Sequence, residues 1–324
     1  MNLVTGATGH LGNVLVRELL SKGEKVRVLL QPKCDTKSLD GLNVEKYEGD
    51  LLDQNSLNQA CLGADYVYHL AGIVTITGRH AEKVELVNVE GTKKVIEACL
   101  TNKVKRLIYV GTIHAFKQPP IGQEINESLD FDPSRPQVYD RTKAKAAIAV
   151  LDAVKNRNLD AVIACPTGVI GPNDFLGSAF GSYIKQYISG KQHFYIEGAY
   201  DFVDVRDVAD GFIACAHKGR RGQVYILSGE HIKIKEINDT LEQVSGVKAP
   251  IMKIPLWLAY FSAYLFSFIS SLTKSEPVFT PFSIKVLQEN SQISHAKATK
   301  ELGFNPRDIR ESLKDHVAWF RANS

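Results

Sequence analysis

The sequence is short of the residues that build metal and disulfide frameworks. Its five cysteines, Cys34, Cys61, Cys99, Cys165 and Cys215, are odd in number, widely spaced and form no CxxC. That excludes a disulfide scaffold and a cysteine-rich zinc site. The nine histidines never fall as HxxxH or HExxH, so no metal is expected. No run of five or more Lys/Arg occurs and the formal charge is only +3, so no nucleic-acid partner is expected. Internal repeats and low-complexity tracts are absent. The first apolar strand begins one residue after Met1, so no cleavable leader is expected. A reducing, cytoplasmic setting is the default. Charge is missing altogether from residues 254–273, twenty positions bounded by Lys253 and Lys274. That length approaches what a bilayer span requires.

What is present fits a globular chain. At 23% charged and 44% hydrophobic over 324 residues, the composition excludes disorder, and roughly 150 residues per domain suggests about two units. Apolar strands are predicted over 2–5, 26–30, 66–70, 106–110 and 161–165. They alternate with helices over 14–21, 57–61, 84–100 and 139–156. Such alternation means βαβ units and a parallel sheet covered on both faces. Past Pro166 the rhythm breaks. A turn falls at 171–174, strands at 202–205 and 223–227 are expected to return to the sheet, and helices at 235–244 and 282–288 belong to a smaller lobe. The longest structureless stretch, 117–137, holds Pro119, Pro120, Pro133 and Pro136. A loop that long is usually functional or mobile.

Thr5-Gly6-Ala7-Thr8-Gly9-His10-Leu11-Gly12 follows the first strand and opens the first helix. Glycines there permit a tight turn and close approach of a pyrophosphate to the helix N-terminus, whose N–H groups favour an anion. Gly6, Thr8, Gly9, His10, Leu11 and Gly12 are the candidate phosphate-binding residues. A second motif, Tyr139-Asp140-Arg141-Thr142-Lys143, puts a phenol and an ammonium on one helix face. A free phenol ionises near pH 10, and a neighbouring ammonium is expected to lower that. The YxxxK pattern recurs at Tyr187 and Lys191, which reads as a helix-surface pair.

These motifs together resemble the extended short-chain dehydrogenase/reductase family, the NAD-dependent epimerase/dehydratase superfamily. Glu48-Gly49-Asp50-Leu51, His69-Leu70-Ala71-Gly72, Asn88-Val89-Glu90-Gly91-Thr92 and Glu301-Leu302-Gly303-Phe304-Asn305-Pro306 carry the likeness in the family's order. The resemblance implies a doubly wound parallel α/β sheet of Rossmann type with a smaller, interleaved C-terminal substrate lobe. The cofactor domain would take 1–170 and 201–228, and the lobe 171–200 and 229–324. It implies that Asp50 and Leu51 meet the adenine, that Leu70, Ala71 and Gly72 flank the cofactor, and that Pro166 and Val169 meet the nicotinamide end. His69 is expected to be a packed core residue. Tyr139 would be the proton donor or acceptor, and Lys143 would also bond the nicotinamide ribose. Where the family usually has a serine pair, this chain has Gly111-Thr112, so Thr112 inherits the hydroxyl role. His114 is not a catalyst by position alone. The Phe202-to-Ala209 segment also matches, with its charges expected to dock the lobe. After the second strand come Gln31-Pro32-Lys33 with no acid to grip ribose hydroxyls, so the cofactor is NAD(P), leaning to NADP through Lys33.

No acid pair follows Thr112, which disfavours a sugar dehydratase. The turn sits closer to the 3β-hydroxysteroid dehydrogenase and dihydroflavonol 4-reductase branch. The expected function is hydride transfer between a nicotinamide and the secondary alcohol or ketone of an apolar ring substrate. The alternatives are a nucleotide-sugar epimerase with tightly bound NAD and a non-catalytic NAD(P) sensor. In residues 254–273, Trp257, Phe261, Tyr264, Leu265, Phe268 and Leu272 recur at helical spacing. A lid over the substrate pocket is favoured there, with peripheral membrane contact second and a membrane span last. A monomer or homodimer is expected.

Overall fold

The computed structural model describes residues 1–75, 80–273, 281–288 and 292–323, without the side chains of 266–273 and 282. Strand β1 (Asn2–Thr5) is buried along its whole length, as a parallel strand covered on both faces must be. Helix α1 (His10–Ser21) follows and buries Val14, Leu15 and Leu19. Then come β2 (Val26–Leu30), β3 (Glu45–Glu48), α2 (Gln54–Cys61) and β4 (Tyr66–His69). A long helical stretch runs from α3 (Ala81–Glu85) through a wider π turn at Leu86–Glu90 into α4 (Gly91–Thr101). After it stand β5 (Arg106–Val110), α5 (Val138–Asn156) and β6 (Ala161–Pro166).

The chain continues through β7 (Gly168–Ile170), α6 (Ala179–Ile188), β8 (Phe194–Ile196), β9 (Ala199–Asp204) and α7 (Val205–Lys218). Next are β10 (Val224–Leu227), β11 (Glu230–Lys233), α8 (Ile234–Ser245) and β12 (Met252–Ile254). The last helices are α9 (Leu256–Thr273), α10 (Pro281–Val286), α11 (Ala296–Leu302) and α12 (Ile309–Ala322).

Seven strands form one parallel sheet in the order β10-β6-β5-β4-β1-β2-β3. Successive residues feed opposite faces. Val4 and Ile108 enter a core with Leu15 and Phe212, whereas Leu3, Leu107 and Tyr109 enter a second with Leu57, Val95 and Val150. The strand order reverses between β1 and β4, and ligands of such sheets sit at that switch, beyond the carboxyl ends.

The expected return of the 202–205 strand to this sheet is not observed. β9 instead pairs with β7 and β11 in a separate three-stranded sheet, while β10 does return, beside β6. Pro166 has no N–H to carry the ladder on, and β7 departs just beyond it. A Cβ on Gly168 would come within 2.6 Å of the Tyr200 ring, so glycine lets β9 lie close.

One further expectation is corrected. Tyr187 is no surface residue: it is buried in the cluster with Ile184, Leu241 and Leu313, and its hydroxyl donates to the carbonyls of Asn238 (3.0 Å) and Val247 (3.1 Å). Lys191 is exposed beyond the end of α6. The α9 side chains that the structure describes fall into two sets. Ala259 and Ala263 pack inward on Ile284, while Trp257, Phe261, Tyr264 and Leu265 are exposed. The Phe268 and Leu272 side chains, and Lys274, lie outside the described residues. Among the described residues no helix is long and apolar enough to cross a membrane.

The 117–137 loop is pinned rather than loose. Phe116 bridges and stacks on Phe131 at 4.7 Å, Ile125 bridges Ile293, and Glu127 accepts from the Ile226 N–H at 2.8 Å.

Candidate active site

The carboxyl edge of the sheet collects most of the residues singled out in the sequence. Register sets Thr5 beside His69, His69 beside Tyr109, and Val110 beside Ala164. The segments after β1, β4, β5 and β6 therefore emerge side by side. Gly6 has φ +72°, and a Cβ there would meet Ala71 N at 2.6 Å; one on Gly12 would meet Gly6 O at 2.1 Å. The turn can only be built from glycine at these two points. It presents Gly9 as the N-cap of α1 with no side-chain cap, leaving first-turn N–H groups for an anion. This cradle fits a dinucleotide pyrophosphate.

The neighbours of the cradle are placed as follows. Ala71 N donates to Thr5 Oγ1 (3.2 Å), locking the Leu70-Ala71-Gly72 turn against the glycine loop. Thr8 is held through its carbonyl by Ser38 Oγ at 3.0 Å. Leu11 packs on the core. The His10 ring turns away, its Nε2 3.0 Å from Pro172 O and its Nδ1 4.0 Å from Asp174, so only its backbone faces the loop. Asp50 stands past β3 and accepts from Leu52 N at 2.8 Å; Leu51 lies against Gly91. Lys33 stands apart on an exposed turn at φ 62°. Pro166 is buried and Val169 half-buried where β6 passes into β7.

His69 is the buried core residue expected. Its Nδ1 lies 2.8 Å from Thr5 Oγ1 and its Nε2 3.0 Å from Thr92 Oγ1, and burial lowers its pKa to about 3.

Thr112, Tyr139 and Lys143 converge beside this cradle. Thr112 is buried, and its Oγ1 accepts from His114 N at 3.3 Å. Burial raises the Tyr139 pKa well above the ordinary phenol value, the Asp140 carboxylate adds to this, and a hydrogen bond with Thr112 opposes it. The net shift is upward, against the lowering expected from Lys143. The Lys143 ammonium instead donates to the Val110 carbonyl and lies 4.3 Å from the Tyr109 ring centre. Burial lowers the pKa of Lys143 to about 8.

Two residues carry more than the sequence reading gave them. Cys165 explains the missing first serine: a Cβ on Gly111 would stand 2.4 Å from its Sγ. Asn88, in the π turn, accepts from Ile73 N (2.7 Å) and donates to Ile73 O (3.0 Å) and Thr142 Oγ1 (3.1 Å). It ties the segment after β4 to the Tyr–Lys helix. A polar amide inside a helical stretch was the available signal, and π turns are frequent at functional sites.

A doubly wound sheet with this glycine cradle and a Thr–Tyr–Lys cluster at its carboxyl edge defines an NAD(P)-dependent oxidoreductase. The sequence profile of the NAD dependent epimerase/dehydratase family matches residues 2–228, and the chain belongs to that family. It is 36% identical over 323 residues to the sterol demethylase protein B of Methylococcus capsulatus, covering 98% of both chains. It is 30% identical over 318 residues to the sterol-4-alpha-carboxylate 3-dehydrogenase, decarboxylating, of Mus musculus, covering 94% of this chain and 86% of that one. Among solved structures, the crystal structure of gox2253 matches with a TM-score of 0.87 and 31% identity over 100% of this chain and 98% of that one.

Proposed function

We propose that the enzyme moves a hydride between a nicotinamide and the secondary alcohol or ketone of an apolar, sterol-like ring substrate. The observation that carries this reading is the convergence of Thr112, Tyr139 and Lys143 beside the glycine cradle. The names of the two sterol-enzyme relatives support the substrate class.

In this reading the loop of Gly6, Thr8, Gly9, His10, Leu11 and Gly12 holds the pyrophosphate, with His10 acting only through its backbone. Asp50 and Leu51 meet the adenine, Leu70 to Gly72 flank the cofactor, and Pro166 and Val169 meet the nicotinamide end. The bound dinucleotide supplies or takes the hydride. Tyr139, kept protonated by its buried setting, gives its proton to the substrate oxygen in reduction. Thr112 Oγ1 accepts from the His114 N–H and shares a hydrogen bond with Tyr139, which sets its hydroxyl beside the phenol to orient that oxygen. Lys143 places an ammonium one turn from the phenol and would also bond the ribose of the bound cofactor. The Gln31-Pro32-Lys33 turn, with an exposed Lys33 and no acid, supports NADP over NAD.

The experiment follows nicotinamide absorbance with sterol 3-ketones and 3-alcohols and either cofactor. Tyr139→Phe is expected to lose about 100-fold or more in turnover while cofactor binding holds. Unchanged turnover removes Tyr139 from the proton-donating role, and a higher kcat/KM with NADH overturns the NADP preference. Stoichiometric NAD released on denaturation, without net oxidation of any alcohol, would point to an epimerase instead.

A further inference from the structure

The described first half of helix α9, up to Leu265, turns aromatic side chains to solvent. In that half the buried positions are the small Ala259 and Ala263, which pack with Ile284, and Tyr260 lies partly buried against them. Three of its large side chains face water: Trp257 is 71% exposed, Phe261 63% and Tyr264 65%. A surface helix in water shows the opposite pattern, large apolar groups inward and charges outward. Further apolar side chains are exposed just before the helix. Met252 of β12 is 67% exposed and pairs in register with the exposed Phe194 of β8. Exposed apolar side chains thus stand on three elements, β8, β12 and α9, the first distant in sequence from the other two.

Charge along the segment that carries β12 and α9 has one sign. No Asp or Glu occurs from 243 to 275, while Lys248, Lys253 and Lys274 fall in that span. Lys253 is shared with Glu197, and Lys248 is exposed. Aromatic residues rich in Trp and Tyr suit the boundary between headgroups and acyl chains, and flanking lysines suit anionic headgroups.

We infer that this face, Phe194 and Met252 with the Trp257, Phe261 and Tyr264 side of α9, docks on an anionic membrane surface. The helix lies in the interface plane rather than crossing it. The substrate reading above is not required for this.

The test is co-sedimentation of the whole protein with phosphatidylcholine vesicles, with and without phosphatidylglycerol. Binding is expected with phosphatidylglycerol, weakened without it and by high salt. The double variant Trp257→Ser/Phe261→Ser, altered only at exposed positions, should lower vesicle affinity about tenfold or more. Its circular dichroism and cofactor binding should be unchanged. No binding to either vesicle, or binding undiminished in the double variant, overturns the inference. A dimer that these substitutions dissociate, without vesicle binding, assigns the face to a second copy and likewise overturns it.

Discussion

Substituting alanine for Gly111 probes the packing behind Thr112. The added Cβ would stand 2.4 Å from Cys165 Sγ and 3.2 Å from Ile163 Cγ2. Unstrained contacts of this kind lie near ~3.5–4 Å, so the overlap with sulfur is about 1 Å. Cys165 is fully buried, which leaves its sulfur no open space to turn into. Overpacking of that size costs about 1–3 kcal/mol. Urea unfolding reads the loss as a lower midpoint at constant m. Cys165→Ala removes the sulfur, so in that background the same Gly111→Ala change should lose most of its effect. The coupling between the two sites is then about 1 kcal/mol or more. The reasoning is refuted if Gly111→Ala is as stable as the parent. It is equally refuted if its cost is undiminished without the Cys165 sulfur.

Two further predictions concern pH. Burial keeps His69 and His316 neutral in the fold, with pKa values of about 3 and about 4 against 6.5. The unfolded chain takes up these protons first, so stability is lost as pH falls below 6.5, by about 2 kcal/mol per histidine at pH 5. Asp201, raised to about 6 by burial, binds its proton in the fold and offsets part of this. A urea midpoint unchanged between pH 7 and pH 5 would count against it. Lys143 loses its proton near pH 8, so kcat/KM for ketone reduction at saturating cofactor should fall above that pH. A profile flat to pH 10 would remove the ammonium from the reaction.

The parts of the fold legible in the sequence are those where local pattern and tertiary role coincide. The strand at Arg106–Val110 and the helix at Val138–Asn156 are apolar runs of the right period. Strand β3, Glu-Lys-Tyr-Glu at the sheet edge and mostly exposed, carries no apolar signal, so only its position after β2 reveals it. The glycine loop was legible because its spacing meets a steric demand that no other residue satisfies. The Tyr139–Lys143 pair was legible as a helical spacing, but its electrostatics were not. The backbone carbonyl of Val110 takes the ammonium, and helical spacing holds no record of a strand in a different part of the chain.

The sequence alone determined the alternation of strands and helices, the cradle at Gly6 to Gly12 and the residues available for proton transfer. These follow from backbone sterics and short-range periodicity. Tertiary structure alone decided that Tyr187 is a core residue and that β9 leaves the main sheet. It also decided that Gly111 yields its space to Cys165, and that α9 turns its aromatic side outward. Each of these depends on which surface a side chain meets after the chain has closed on itself. That surface comes from residues tens of positions away, beyond the reach of any local pattern.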